Sequence, residues 1–379
     1  MLSDIMHRGY KSVEIVQGFL LLSMWNQPSQ HYETDKTWLF SGVAMRMATD
    51  LNLHRKSVMT LPSDMSPNDP TVLEREREIL NRERTWYICF TMDRSLSAQM
   101  GKPYTIREDF LIRNCKYWCE QRASRPCDVA LSALVELLRL TSRMLDMLYS
   151  STSSVNGLNT ELDYSTMLRI WNEQLEDSRN QCSYKGVFPA AYLPRADPFQ
   201  DIKTRIATQR AHIELDSPPN SAGGREGVPT PLSSRGEGQQ KAGMAAEGAA
   251  EGEHRTSSGR RAPRGGQGAD ADGDKKDEID HESMEHDQRI LYFCVQQAPL
   301  RWHYAVLIIN SFGLQRALDA GSDDTSFFFI KCLSAAKGML KAALGGLRPV
   351  LRYAPDAQFV MISYACVFLL KVSCASSEL

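Results

Sequence analysis

Residues Glu74–Phe110 read EREREILNRERTWYICFTMDRSLSAQMGKPYTIREDF. The stretch opens as a run of charge and turns apolar at Trp86, Tyr87, Phe90 and Leu96, with no glycine or proline before Gly101. This pattern predicts one long helix of about 30 residues, from Thr71 to Met100, half solvated and half buried. In the charged half, Glu78 and Arg82 attract at four-residue spacing while Glu74 and Glu78 repel. Thr71 and Glu74 form a capping-box pattern at the start. Gly101 suits a left-handed residue past the end, and Pro103 prevents the helix from resuming. Thr105 and Glu108 offer a second capping box for a short helix through Leu111. Asp93 and Arg94 stand among apolar neighbours, where a buried ion-pair network fixing helix packing is the expected role.

The stretch before it, Thr34–Ser57, reads TDKTWLFSGVAMRMATDLNLHRKS. Leu39, Val43, Met47 and Leu51 fall on one helical face, widened by Trp38, Gly42 and Met45. His54 follows the helix end, where an imidazole is expected to bond the last carbonyls. Further upstream, Val13, Val16, Leu20 and Met24 mark a helix from about Tyr10 to Trp25. Its apolar run, Ile15–Trp25, is too short to span a bilayer. Downstream, helices are expected over Asp128–Tyr149, about Thr160–Glu176, Ile290–Asn310 with a kink at Pro299, Phe327–Leu347 and Ala354–Lys371. The last is apolar on nearly every face and so is expected to be central and buried. No segment shows sustained alternation of apolar and polar residues. The predicted fold class is all-α.

Ser217–Gln288 has no Phe, Trp or Tyr and is crowded with Gly, Ala, Ser and charge. Such a composition cannot bury enough apolar surface to offset the entropy of ordering, so a disordered insertion is expected there. The organisation read from sequence is therefore a helical domain over 1–216, the insertion over 217–288, and the rest of the helical domain over 289–379. A tether between two independent bundles is the other reading of the same composition.

The 44 basic and 46 acidic residues leave a net charge of -2, without the basic surplus usual for a nucleic-acid binder. Nine cysteines lie scattered and no secretory segment opens the chain, which fits reduced thiols in cytosol or nucleus. Cys115 and Cys119 lie close together with Cys127 beyond, but no second pair of ligands accompanies them, so core or surface thiols are expected rather than a zinc site. There is no nucleophile elbow, phosphate-binding glycine loop or His-Glu-x-x-His, and no catalytic, cofactor or metal residue is assigned.

Both quoted stretches resemble the regulatory, or middle homology, region of fungal transcription factors of the zinc-cluster (Zn2Cys6) type. The first block offers Trp38, Ser41-Gly42, Ala44-Met45-Arg46-Met47-Ala48, Leu51 and Leu53-His54-Arg55. The second offers Arg84, Trp86-Tyr87, Asp93-Arg94 and Gly101-Lys102-Pro103, with Tyr87 where a second tryptophan is common and Lys102 where arginine is common. Tyr353-Ala354-Pro355-Asp356 and Phe368-Leu369-Leu370-Lys371 also resemble the end of this domain in a subgroup of fungal regulators. The resemblance implies a non-enzymatic, nuclear regulatory domain that restrains or transmits activation of RNA polymerase II transcription, sometimes by sensing a small-molecule effector. It implies DNA as a partner through an N-terminal six-cysteine zinc cluster, which is missing from this sequence, so no zinc is expected in the chain itself. Transcriptional co-regulators are the other implied partners, and no membrane. With Met1 close to the start of the helical domain, a fragment, a truncated gene model or a lineage-specific loss is expected. A helical adaptor or sequestering repressor without DNA binding is the alternative. Trp38, Arg46, His54, Arg55, Trp86, Asp93, Arg94, Gly101 and Pro103 are the signature residues expected to set the internal architecture.

Overall fold

The computed structural model describes residues 2–26, 29, 31–57, 69–184, 186–187 and 286–377. Their regular structure is helical, with no strand among the described residues. The expected insertion lies outside them except for His286–Gln288, which open a helix instead.

Helices α1 (Leu2–Arg8) and α2 (Val13–Met24) come first, with the Ser12 hydroxyl accepting from Ile15 N at 3.2 Å to cap α2. Helix α3 (Thr37–Asp50) closes through Asn52, whose φ of 58° is left-handed. Leu53 N donates to Ala48 O at 3.0 Å and Asn52 N to Thr49 O at 2.9 Å, the paired bonds of a Schellman end. Arg82 Nη2 donates to Leu51 O at 3.0 Å. His54 therefore does not bond the terminal carbonyls as expected; its ring lies 5.9 Å from that of Trp86.

Helix α4 spans Pro70–Met100. It is capped by Asp69 rather than by Thr71: the Asp69 carboxylate accepts from Thr71 N at 2.8 Å and from the Thr71 hydroxyl at 2.6 Å. Pro70 has no N–H to satisfy and a φ already near helical, so the helix starts two residues earlier than a Thr71 cap would allow. At the other end Gly101 adopts φ 63°, and Lys102 N closes onto Ser97 O at 3.1 Å. From Thr85 to Ser97 nearly every side chain is buried, so this half of α4 runs through the interior.

Two single-turn helices follow, α5 (Phe110–Arg113) and α6 (Cys115–Trp118). Asp109 caps α5, accepting from Ile112 N at 2.9 Å. The expected Thr105 cap does not form because the Thr105 amide is engaged by Asp93. Then come α7 (Asp128–Leu148), α8 (Tyr164–Tyr184), α9 (His286–Ala320), α10 (Thr325–Leu344) and α11 (Asp356–Ser377). Helix α9 remains continuous through Pro299.

The helices before residue 217 and after 280 belong to one compact unit. Its core has two apolar clusters. One gathers α2, α3, α4 and the start of α7 around Phe19, Tyr87, Phe90 and Ile112; the other gathers the end of α7 with α8, α9 and α10 around Leu148, Leu168, Leu307 and Phe328. Helix α7 contributes to both. In the second cluster, Asn172 on α8 and Asn310 on α9 exchange side-chain bonds at 2.8 and 3.0 Å, and each also donates to the carbonyl four residues back at 2.7 Å. Both amides are thus satisfied in the interior, and their pairing fixes the register of the two helices.

Helix α11 is not the central helix its composition predicts. Gln358, Met361 and Ala365 are buried, but Phe359, Val360, Tyr364, Val367 and Leu370 are exposed. Apolarity all round permits burial from every side; the neighbouring helices α4, α9 and α10 cover only one. By length and composition alone, Asp356–Cys374 would also suffice to cross a bilayer. Its first turn is tied to the helical body by Gln99 Nε2 donating to Ala357 O at 3.2 Å.

Gly313 on α9 tests how tightly the second cluster is packed. A Cβ there would stand 2.4 Å from Leu168 Cδ1 and 2.8 Å from Phe328 Cε1. Helix propensity alone would favour alanine by roughly 0.5–1 kcal/mol. Phe328 is buried and cannot swing away, so overpacking of about 1–3 kcal/mol should win. Gly313→Ala is expected to lower the denaturant midpoint; a higher midpoint would show that the cluster yields.

Candidate functional site

The signature residues converge where α4 meets the loop leading to α5. Asp93 and Arg94 are both buried. The Asp93 carboxylate accepts from Thr105 N at 2.9 Å, Ile106 N at 2.8 Å and Arg94 Nη1 at 2.8 Å. Arg94 Nη2 donates to Ile106 O at 2.7 Å, and the guanidinium lies over the rings of Tyr104 at 3.6 Å and Phe90 at 4.5 Å. Burial pulls the Arg94 pKa down and the Asp93 charge opposes that shift. Together the two side chains reproduce what a paired strand would offer the loop, two amide acceptors and one carbonyl donor. The Tyr104 hydroxyl continues the chain of contacts to Asp146 on α7.

Trp86 Nε1 donates to Asp109 Oδ2 at 2.7 Å, and the Tyr87 hydroxyl to Leu111 O at 3.0 Å. Lys102 Nζ sits 4.8 Å from the centre of the Trp38 ring, joining the first signature block to the second. The structure therefore brings Trp38, His54, Trp86, Asp93, Arg94 and Gly101 into or beside one network. Pro103 lies in the exposed loop just past Gly101. Arg46 and Arg55 are exposed; Arg55 reaches only His54, at 3.4 Å, and Arg46 makes no hydrogen bond or ion pair among the described residues. A recurring motif residue need not be an interior one.

The charge run Glu74–Arg84, expected to be a solvated face, turns inward at its end: Glu83 and Arg84 form further anchors. Arg84 makes a two-pronged pair with Asp128, 2.7 Å on each arm, and Asp128 also accepts from Arg125 N at 2.8 Å. Glu83, 1% exposed, takes Lys56 at 2.9 Å and the Trp118 indole N–H at 2.9 Å. The signal was present in the sequence: positions 83 and 84 immediately precede the aromatic half of the helix, where a charge needs a partner.

Between the two core clusters lies a cavity of about 340 Å³, walled by α4, α7, α8 and α9. Ile290, Phe293, Cys294, Gln297 and Arg301 line it from one face of α9 at three- and four-residue steps. Arg301 Nε is sealed from solvent without a hydrogen-bond partner, and burial pushes the guanidinium pKa down. Cys127, Cys182 and Cys294 also border the cavity. Burial raises Cys127 to about 12 and Cys294 to about 11, which keeps both as thiols. Cys115 is likewise buried, its Sγ 3.0 Å from Glu136 Oε1. Among the described residues, no three His, Cys, Asp or Glu side chains converge as a metal site.

Residues 5–180 match the fungal specific transcription factor domain. The chain is 32% identical over 162 residues to Protein priB of Lentinula edodes, covering 42% of this chain and 26% of that protein. It is 21% identical over 165 residues to Regulatory protein LEU3 of Saccharomyces cerevisiae, covering 43% and 18%. It is 25% identical over 146 residues to Transcriptional activator of proteases prtT of Emericella nidulans, covering 38% and 20%. The matched segment thus spans about a quarter or less of these relatives. No solved structure matches. Residues 5–180 of this chain are thus similar to the fungal specific transcription factor domain, and the relatives it resembles carry names of transcriptional regulators. Helices α9 to α11, including the stretches around Tyr353 and Phe368, lie beyond the matched residues.

Asp93 carries the largest share of the signature network. Asp93→Ala leaves a buried guanidinium and two amides unmatched and is expected to cost about 3–5 kcal/mol. Asp93→Asn keeps one acceptor but turns an N–H toward an amide donor, for about 1–3 kcal/mol. Denaturant midpoints should fall in that order, with faster amide exchange at Thr105 and Ile106. Unchanged midpoints in both variants would remove Asp93 from the architecture.

Proposed function

We propose that this chain is the regulatory domain of a nuclear transcription factor that controls RNA polymerase II transcription. In the intact protein, DNA contact comes from a six-cysteine zinc cluster outside these 379 residues, and the helical body passes regulation to it and to transcriptional co-regulators. The match of residues 5–180 to the fungal specific transcription factor domain carries the reading. Charge supports it: a net charge of -2 leaves no general basic excess to neutralise phosphates. The polar groups of the signature network are consumed in holding α4, α7 and the loop 101–109 together, which suits an architectural role and not acid–base chemistry. Zinc belongs to the cluster in this scheme, and the helical body carries no cofactor of its own for catalysis.

The test has two arms. The chain alone, at physiological salt, is expected to show no sequence-selective binding to DNA duplexes in an anisotropy assay. Joined to a heterologous zinc-cluster DNA-binding domain, it is expected to change the output of a reporter carrying that domain's sites, relative to the DNA-binding domain alone. Selective sub-micromolar DNA binding by the chain itself, or a reporter indifferent to its presence, would overturn the proposal.

A further inference from the structure

The cavity between the two core clusters has the size and wall chemistry of a small-molecule site. Its volume of about 340 Å³ falls at the lower end of the ~300–1,000 Å³ range for such pockets. Ile88, Leu131, Leu134, Leu137 and Phe293 make its walls mainly hydrocarbon and aromatic. Four arginines border it, Arg84, Arg125, Arg179 and Arg301, against the single carboxylate of Asp128.

Three of the four cations are accounted for. Arg84 is neutralised by Asp128. Arg179 pairs with Glu176 and lies 4.7 Å from the centre of the Trp302 ring. Arg125 is exposed to water. Arg301 differs: among the described residues its guanidinium makes no hydrogen bond and no ion pair, and its Nε is shut off from solvent. A guanidinium does not relieve this by losing its proton. Arg301 as a whole is half-buried, so the cost falls on the sealed Nε, which stands unpaired beside an apolar space. Gln297, one turn before Arg301 on the same face, is also buried and makes no hydrogen bond to a described residue. A second polar group therefore stands ready at the same place.

We propose that this cavity binds a compact, apolar monocarboxylate. Arg301 is the anion partner and Gln297 a second donor, with the hydrocarbon body against Ile88, Leu134 and Phe293. One unneutralised cation calls for one negative charge. The planar fork of a guanidinium matches the two oxygens of a carboxylate. The walls reject a ligand that is polar along its length, because its groups would be left unpaired. Nothing in this depends on the transcriptional reading: a domain that binds no such ligand could still regulate transcription, and the reverse.

Titration calorimetry with octanoate as the probe tests it, with 1-octanol and inorganic phosphate as comparisons. Octanoate is expected to bind saturably at one site per chain, at least about tenfold more tightly than either comparison. Arg301→Met, which keeps the bulk and removes the charge, should weaken octanoate by at least about tenfold and leave 1-octanol unchanged. It should also raise the melting temperature of the unliganded protein, since the unpaired, water-excluded Nε is gone. That second readout shows the variant is folded. Leu134→Trp, which fills the cavity, should abolish binding of both octanoate and 1-octanol. No saturable octanoate binding, equal affinity for 1-octanol, or octanoate binding untouched in Arg301→Met would each overturn the proposal.

Discussion

A charge carried into a protein interior must meet its partner there, and α4 carries four: Glu83, Arg84, Asp93 and Arg94. Each reaches a different part of the molecule. Glu83 takes Lys56 beyond the end of α3 and the indole of Trp118 on α6. Arg84 takes Asp128 at the start of α7. Asp93 and Arg94 take the backbone of the loop around Ile106. Hydrophobic packing would tolerate small slips of these elements; a two-pronged guanidinium–carboxylate pair at 2.7 Å does not. The polar contacts of α4 therefore select one arrangement from the many that would bury the same apolar surface.

The same constraint gives the cavity its character. On α4 and α7 every buried cation has a matching group from the chain, whereas α9 brings Arg301 to the cavity with none among the described residues. The contrast lies within one compact unit, where the helices following residue 280 close the wall opposite the signature network. A cation with no partner among the described residues, at an apolar cavity, is an element whose energetics would change on binding.

The all-α class was legible because every strong periodicity was helical, and the end of α4 because only Gly101 suited the left-handed residue there. Asp93 and Arg94 were legible as interior ions because charge in an apolar stripe demands a partner. Caps were read less well. Asp69 with Pro70 outranks Thr71 at the start of α4, and Thr105 lost its capping role because Asp93, twelve residues earlier in sequence, took its amide. That competition is tertiary and invisible to a local pattern. Composition also overstated α11: it records that a helix tolerates burial, while which neighbours cover it depends on where α9 and α10 lie. Arg301 was overlooked for the same reason. Next to Trp302 and His303 it reads as one polar residue in a mixed helix, and only the closure of α4, α7 and α8 around it reveals the unmatched charge.

The claim that buried charges on α4 fix the fold is tested most directly by a double-mutant cycle on Arg84 and Asp128, read as denaturant unfolding free energies. Arg84→Met and Asp128→Asn each leave one charged partner buried and are expected to cost about 3–5 kcal/mol alone. The double variant leaves neither charge and should fall well short of the sum, with a coupling of at least about 2 kcal/mol. Additive losses within about 0.5 kcal/mol would show that the two side chains act independently and that apolar packing alone sets where α4 and α7 meet.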